Sequence, residues 1–247
     1  MSITNGQDAS APQYTFQFAR HRYYSGVDSY YPSDVGWRDW NTDYTDFAET
    51  SMEMHLEAGV KRLTNIAIGP SAVVNFREDG ERVFQFPLLY TVEPEQMVLD
   101  APEARLLREW LHRGGFWILD DFHGCEEMEY VMKQFARVFG YQPKFQKLAD
   151  THEIFHTAFD IGIEQVPWEG LVTNCVEDCR TWEAEPPCHE SNIMLWDGGP
   201  EDGKILLLHN NDTGDGLEHA DYAAYPAKYT IYAYRLIINS IVYAMTH

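Results

Sequence analysis

The run Gly114-Gly115-Phe116-Trp117-Ile118-Leu119-Asp120-Asp121-Phe122-His123-Gly124 limits what this chain can fold into more than any other segment. Four successive large apolar residues between a glycine pair and a polar turn read as a strand covered on both faces, because a half-solvated strand would alternate. Helices flank it. Upstream, Asp100 and Glu103 have capping-box spacing, and Leu106, Leu107, Trp110 and Leu111 form an apolar stripe that the glycine pair ends. Downstream, Met128, Met132, Phe135 and Phe139 share one face of a second helix, which stops at Gly140. A buried strand between two such helices calls for a parallel sheet covered on both sides.

The remaining segments extend the same plan. Tyr14 to Arg20 alternates in the strand manner and leads into Arg20, His21, Arg22, Tyr23 and Tyr24. After an aromatic loop with Trp37 and Trp40, Asp46 and Glu49 have the spacing of a capping box, which predicts a helix running to Gly59. Leu63 to Ile68 and Phe86 to Val92 read as strands, the second ending at Glu93-Pro94. Residues 143–192, with Pro167, Pro186 and Pro187, carry no long periodic segment and read as a loop-rich elaboration. Ile193 to Trp196 and Lys204 to His209 form a hairpin through Asp197-Gly198-Gly199-Pro200, and Tyr229 to Thr246 is the last helix. The expected fold is α/β, with a doubly wound, mostly parallel sheet, helices on both faces, a loop-rich insertion and a late β-hairpin. Residues 1–12 form a flexible tail, and 13–247 form a single domain.

Eighteen basic against thirty-nine acidic residues leave a formal charge of -21, so nucleic acid would meet a repulsive field while cations are attracted. The longest apolar stretch, Ile231 to Met245, is interrupted by Arg235 and Asn239 and is shorter than the ~20 residues a bilayer requires. No transmembrane segment is expected. The N-terminus has neither a basic start nor an apolar run, which fits a cytosolic chain or an exported one whose signal has been removed. No nucleotide or flavin motif is visible.

Polar groups concentrate at strand ends, where ligands of open α/β sheets bind. Arg20 and His21 follow the first strand, Glu93 a later one, and Asp120, Asp121 and His123 follow the Phe116 strand. The densest group is His209-Asn210-Asn211-Asp212-Thr213-Gly214-Asp215-Gly216-Leu217-Glu218-His219-Ala220-Asp221, directly after the apolar run Ile205 to Leu208. Carboxylates and imidazoles this close need a cation, a buried arginine or a hydrogen-bond network to hold them. An acidic solvated turn is the plainer reading, and an aspartate can equally cap a helix. On the last helix, Arg235 and Asn239 form a polar stripe, and a buried guanidinium there would pair with these carboxylates.

The cysteines leave alternatives open. Cys125, near a helix start, is either an activated thiol or an inert buried one. Cys175, Cys179 and Cys188, with His189, suit either a zinc site of unusual spacing or one disulfide with a thiol left over. His152-Glu153-Ile154-Phe155-His156 matches the letters of a zinc-protease motif but lacks the amphipathic helix that motif requires.

Taken together, several motifs resemble the family called domain of unknown function DUF4159 over roughly residues 14–247. They include Phe16-x-Phe18-Ala19-Arg20, Trp40-x2-Asp43-Tyr44, Phe86-Pro87-Leu88-Leu89-Tyr90 and Leu111-x-Arg113-Gly114-Gly115-Phe116. Asp120-Asp121-Phe122-x-Gly124, His209-Asn210-x-Asp212-x-Gly214-Asp215, Glu218-His219-Ala220-Asp221 and Ala233-Tyr234-Arg235 complete the set. The resemblance implies an architecture related to the class I glutamine amidotransferase-like, flavodoxin-type superfamily, and no activity. The amidotransferase cysteine is missing from the elbow, and the Cys175 group has no counterpart. The resemblance also implies export, which favours the removed-signal reading.

The sequence therefore points to a divalent-metal-binding, hydrolase-like protein with an acidic and histidine-bearing site at the carboxyl edge of the sheet. Asp121, His123, Asp212, Asp215 and His219 are the candidate ligands, and Glu218 or Glu93 the candidate base. Arg20, Asn210 and Arg235 are candidates for ligand binding. The alternative is a non-catalytic module for a small molecule or a protein partner, its carboxylates neutralised by Arg20 and Arg235.

Overall fold

Alternate residues of the central strands pack into two separate apolar layers, so both faces of the sheet are buried. Phe116 and Ile118 join one core with Leu206, Leu208, Leu56 and Leu236, whereas Trp117 and Leu119 join the other with Leu207, Leu107, Trp110 and Phe135. The computed structural model describes residues 15–25, 40–43, 51–173, 175, 177, 179–200 and 202–247. The tail, Trp37, Asp46 and Glu49 lie outside them.

In chain order the strands are β1 (Ala19–His21), β2 (Ala72–Val74), β3 (Leu88–Val92), β4 (Phe116–Asp120), β5 (Gln146–Lys147), β6 (Asn192–Asp197) and β7 (Lys204–His209). The helices are α1 (Met52–Leu63), α2 (Phe76–Asp79), α3 (Ala101–His112), α4 (Gly124–Phe139), α5 (Glu169–Val172), α6 (Thr213–Glu218) and α7 (Ala227–Thr246). The sheet order is β2-β1-β3-β4-β7-β6-β5. The first five strands of that row are parallel, and β6 runs antiparallel to both β7 and β5. This is the doubly wound, mostly parallel α/β sheet expected, with the late hairpin in place. Its order reverses beside β1, the kind of crevice where such sheets bind ligands.

Local chemistry explains the helix limits. Asp100 and Glu103 form the reciprocal capping box that starts α3, and Gly140, at φ 75°, ends α4 in a left-handed conformation. The start of α1 differs from expectation, because Ser51 caps it and its first residue is Met52. The strand expected over Leu63 to Ile68 is absent. Leu63 is still helical, only Ile68 makes an isolated bridge to Phe16, and the strand that pairs with β1 is the later Ala72–Val74. The apolar letters misled here because α1 continues one turn past Gly59.

Arg235 also departs from expectation. The exposed Ile231 and Arg235, four apart, form the solvent stripe of α7. Arg235 sets its guanidinium 5.8 Å from the Phe159 ring centre, while Asn239 is buried and holds the 158–159 backbone. Arg235 is therefore no buried partner for the acidic segment. No helix among the described residues is long and apolar enough to cross a membrane.

Candidate metal centre

Two loops at the carboxyl edge of the sheet are laced together. Asp121 N–H donates to Asn211 O at 3.0 Å, and Asn210 N–H donates to Phe122 O at 2.9 Å. Gly124 N–H donates to Asn210 Oδ1 at 2.8 Å, and His209 Nε2 lies 2.7 Å from Gly124 O. Below them, Asp120 Oδ2 accepts from Tyr90 Oη at 2.6 Å and from Gly214 N–H at 3.0 Å. The β4–α4 and β7–α6 loops thus form one continuous surface.

That surface lines a cavity of about 410 Å³ with Thr42, Asp43, Glu93, Asp121, Trp168, Glu183, Asp212, Asp215, Glu218 and His219. The candidates Glu93, Asp121, Asp212, Asp215, Glu218 and His219 come together there. The others do not line it. His123 sits behind the lining residues, its Nε2 3.0 Å from Asp121 Oδ1 and 3.2 Å from Glu183 Oε1. Asn210 is a buried clamp whose amide donates to Cys188 O and Glu190 O at 3.1 and 2.7 Å. Arg20, fully buried, pairs with Glu53 and donates to Thr42 O at 2.8 Å, so it sets the 40–43 turn that presents Asp43. His21 belongs to the core: its Nδ1 lies 3.2 Å from Thr91 Oγ1, and burial lowers its pKa to about 3.

Asp43 and Glu183 are the pocket carboxylates that sequence reasoning missed. Asp43 stood only in a turn motif with no strand before it, and Glu183 lies in the stretch that lacks periodicity. Tertiary contacts bring both in. Glu183 is carried by a segment that a disulfide joins to the start of α4, Cys125 to Cys188, with Cα atoms 5.5 Å apart. Cys175 pairs with Cys179, and no cysteine is free. The reading of Cys125 as a thiol is corrected accordingly, as are the zinc trio and the leftover thiol. His152 and His156 flank a three-residue 3-10 turn, Glu153–Phe155, so the zinc-protease letters have no helix beneath them.

The backbone is strained where the pocket is built. Asp43, Glu93, Asp121 and Asn210 take φ of 62, 45, 57 and 57°, and the first three line the cavity. Side chains other than glycine adopt this region reluctantly, and such conformations gather at functional sites.

Electrostatics add to that cost. Two carboxylates about 4 Å apart repel by about 4 kcal/mol at an effective dielectric of about 20. Burial, then Asp215, holds Asp43 well above the usual carboxylate range, with Arg20 pulling the other way. Burial raises Asp121 similarly, ahead of Glu93 and Asp43, and raises Asp212 ahead of Asp121 and Asp215. Asp120 and Glu183 are pushed up to about 7, chiefly by burial. His123 falls to about 3 by burial, so its imidazole is neutral at physiological pH. His219 rises through its hydrogen bond to Asp215. Burial and mutual repulsion thus favour the protonated form of these carboxylates, and a cation could take the place of the protons.

Among the described residues three groups have the reach of a metal site, each offering one ligand atom per residue with all atoms within 4.8 Å: Asp43, Asp212 and Asp215; Asp215, Glu218 and His219; and Asp121, His123 and Glu183. Within the first, Asp43 Oδ2 is buried and has no hydrogen-bond partner among the described residues.

The family described as Domain of unknown function (DUF4159) matches residues 38–245. No curated protein matches the chain.

Proposed function

Since the chain belongs to the DUF4159 family, whose description assigns no activity, we propose from the pocket itself that the protein binds a divalent cation and is hydrolase-like. The observation that carries this reading is the all-carboxylate set Asp43, Asp212 and Asp215, with a buried oxygen of Asp43 that has no donor among the described residues. Buried acceptors without partners are expensive, and a cation satisfies several at once. No lysine or arginine is among the described residues lining the cavity.

A bound divalent cation would bring the pKa of a coordinated water toward neutrality. The chain's own part is to receive the proton. Glu218, whose pKa burial raises first and Asp215 next, and Glu93, held beside Thr42 Oγ1 at 3.3 Å, both reach the cavity for that role. The proton would then pass to the leaving group as its bond to the substrate breaks. Trp168, half exposed at the rim, offers a flat apolar face to the substrate.

The non-catalytic alternative draws less support. Arg235 is on the solvent stripe of α7, and the Arg20 guanidinium is already engaged by Glu53 and the 40–43 turn. The amidotransferase-like kinship is proposed for the architecture alone, supported by the strand order, since Cys125 is bonded to Cys188. Two disulfides favour an oxidising compartment and hence export.

The test is elemental analysis of protein purified without chelator or nickel resin, beside an Asp212→Ala/His219→Ala variant. Melting curves with Mg²⁺, Ca²⁺, Mn²⁺ and Zn²⁺, and hydrolysis of a p-nitrophenyl ester panel, accompany it. Stoichiometric metal, lost in the variant, is expected. Its absence from both, with no cation raising the melting temperature, would reject the reading.

A further inference from the structure

The pocket carboxylates fall into two overlapping sets that share Asp215. The inner set, Asp43, Asp212 and Asp215, is buried and contains oxygen donors alone; the outer set, Asp215, Glu218 and His219, lies nearer the mouth and adds an imidazole. Side-chain exposure of 18% for Glu218 and 27% for His219, against 7% for Asp215, sets the two apart. A carboxylate can join two cations about 3.5–4 Å apart, as metal pairs in hydrolytic enzymes do.

We propose that the pocket is a two-cation centre, with Asp215 the shared ligand, Asp43 and Asp212 completing the inner position, and Glu218 and His219 completing the outer one. This rests on the cation-binding reading above and extends it.

Asp43, a residue 5% exposed, contributes a carboxylate oxygen to the inner group, and its Oδ2 is buried with no hydrogen-bond partner among the described residues. The approach is made possible by Gly214, since a Cβ there would stand 1.8 Å from that oxygen. The existing hydrogen bonds leave coordination open. Asp212 caps α6 with Oδ1 on Asp215 N–H at 2.9 Å, which uses one of its oxygens. Asp215 receives Glu169 N–H on Oδ2 and turns Oδ1 toward His219 Nε2 at 3.5 Å, and each carboxylate oxygen keeps a second lone pair.

The number of acidic groups leaves room for a second ion: among the described residues seven carboxylates line the cavity against one imidazole, more oxygen donors than one divalent ion can engage. The donor sets also differ in kind: oxygen alone suits Mg²⁺, Ca²⁺ or Mn²⁺, and the imidazole admits Mn²⁺ or Zn²⁺. With Glu218 committed to the outer ion, Glu93 becomes the proton acceptor.

The experiment titrates the chelator-stripped protein with MnCl₂, by calorimetry and by electron paramagnetic resonance. Two equivalents and an exchange-coupled spectrum are expected. His219→Gln should weaken one equivalent at least tenfold and convert the spectrum to that of isolated Mn²⁺. Asp43→Asn should remove the other equivalent, and Asp215→Asn should weaken both. Should Asp215→Asn fail to fold, the partly exposed His219→Gln still decides. One equivalent in the wild type, or two uncoupled equivalents that His219→Gln leaves intact, would overturn the two-cation centre while sparing the cation-binding reading. No Mn²⁺ bound at all would overturn both.

Discussion

Asp120, at the end of β4, accepts a hydrogen bond from the backbone N–H of Gly214, 94 residues later, at 3.0 Å. The same oxygen takes the Tyr90 hydroxyl at 2.6 Å, so one buried carboxylate ties β3, β4 and the start of α6 together beneath the pocket. Asp120→Ala would leave a buried hydroxyl and a buried N–H unpaired, at about 1–3 kcal/mol for each unsatisfied group. Asp120→Asn keeps an acceptor there and should cost much less. Urea unfolding of the two variants measures the difference, and equal costs would mean that the hydrogen bonds do not hold the loops.

Gly214 is needed for space. A methyl group at this position would stand 1.8 Å from Asp43 Oδ2 and 3.1 Å from Tyr90 Oη. Gly214→Ala should destabilise the protein by about 1–3 kcal/mol, the usual cost of overpacking. It should also abolish the rise in melting temperature that Mn²⁺ produces. A variant that melts lower but keeps the full Mn²⁺ response would separate Asp43 from the cation site.

Stability without cations should fall as pH rises from about 4 to about 7. Asp120 and Glu183 titrate near 7 in the folded protein, and Asp43, Asp121 and Asp212 are also raised, whereas unfolded carboxylates titrate at about 4. Between those values the native state holds protons that the unfolded state lacks, so each step up in pH favours unfolding. Chelator-treated protein should melt several degrees higher at about pH 5 than at about pH 8 on these shifts. Added Mn²⁺ should narrow or reverse the gap, because it competes with the same protons. Melting curves across pH, with and without Mn²⁺, test this.

The two disulfides should contribute unequally. Cys125 and Cys188 are 63 residues apart, Cys175 and Cys179 only 4. Chain-entropy arguments give about 4 kcal/mol for the long loop and about 2 for the short one. Cys125→Ser/Cys188→Ser should therefore lower stability more than Cys175→Ser/Cys179→Ser, as read by chemical unfolding. It should also weaken Mn²⁺ binding, since the long-range bridge tethers the segment bearing Glu183.

Much of this architecture was legible because β4, α3 and α4 combine a strong period with explicit stops: an apolar run, a capping box and glycine termini. Strand-end logic set Asp121 and the 209–221 group each at the carboxyl edge, but their convergence rests on β4 and β7 being adjacent and parallel, which the sheet order supplies and the sequence alone does not. Asp43 and Glu183 could not be read this way, because each reaches the pocket from an irregular segment whose path only tertiary contacts fix. Arg235 failed for another reason. On a helix buried nearly all round, a single exposed stripe through Ile231 and Arg235 is invisible to apolar periodicity.

The most direct measurement is a crystal of the protein soaked in MnCl₂ and recorded at the manganese absorption edge. An anomalous peak is expected at about 2.1–2.5 Å from oxygens of Asp43, Asp212 and Asp215. Well-ordered carboxylates with no peak between them, or a peak only elsewhere on this acidic surface, would contradict the cation-binding reading.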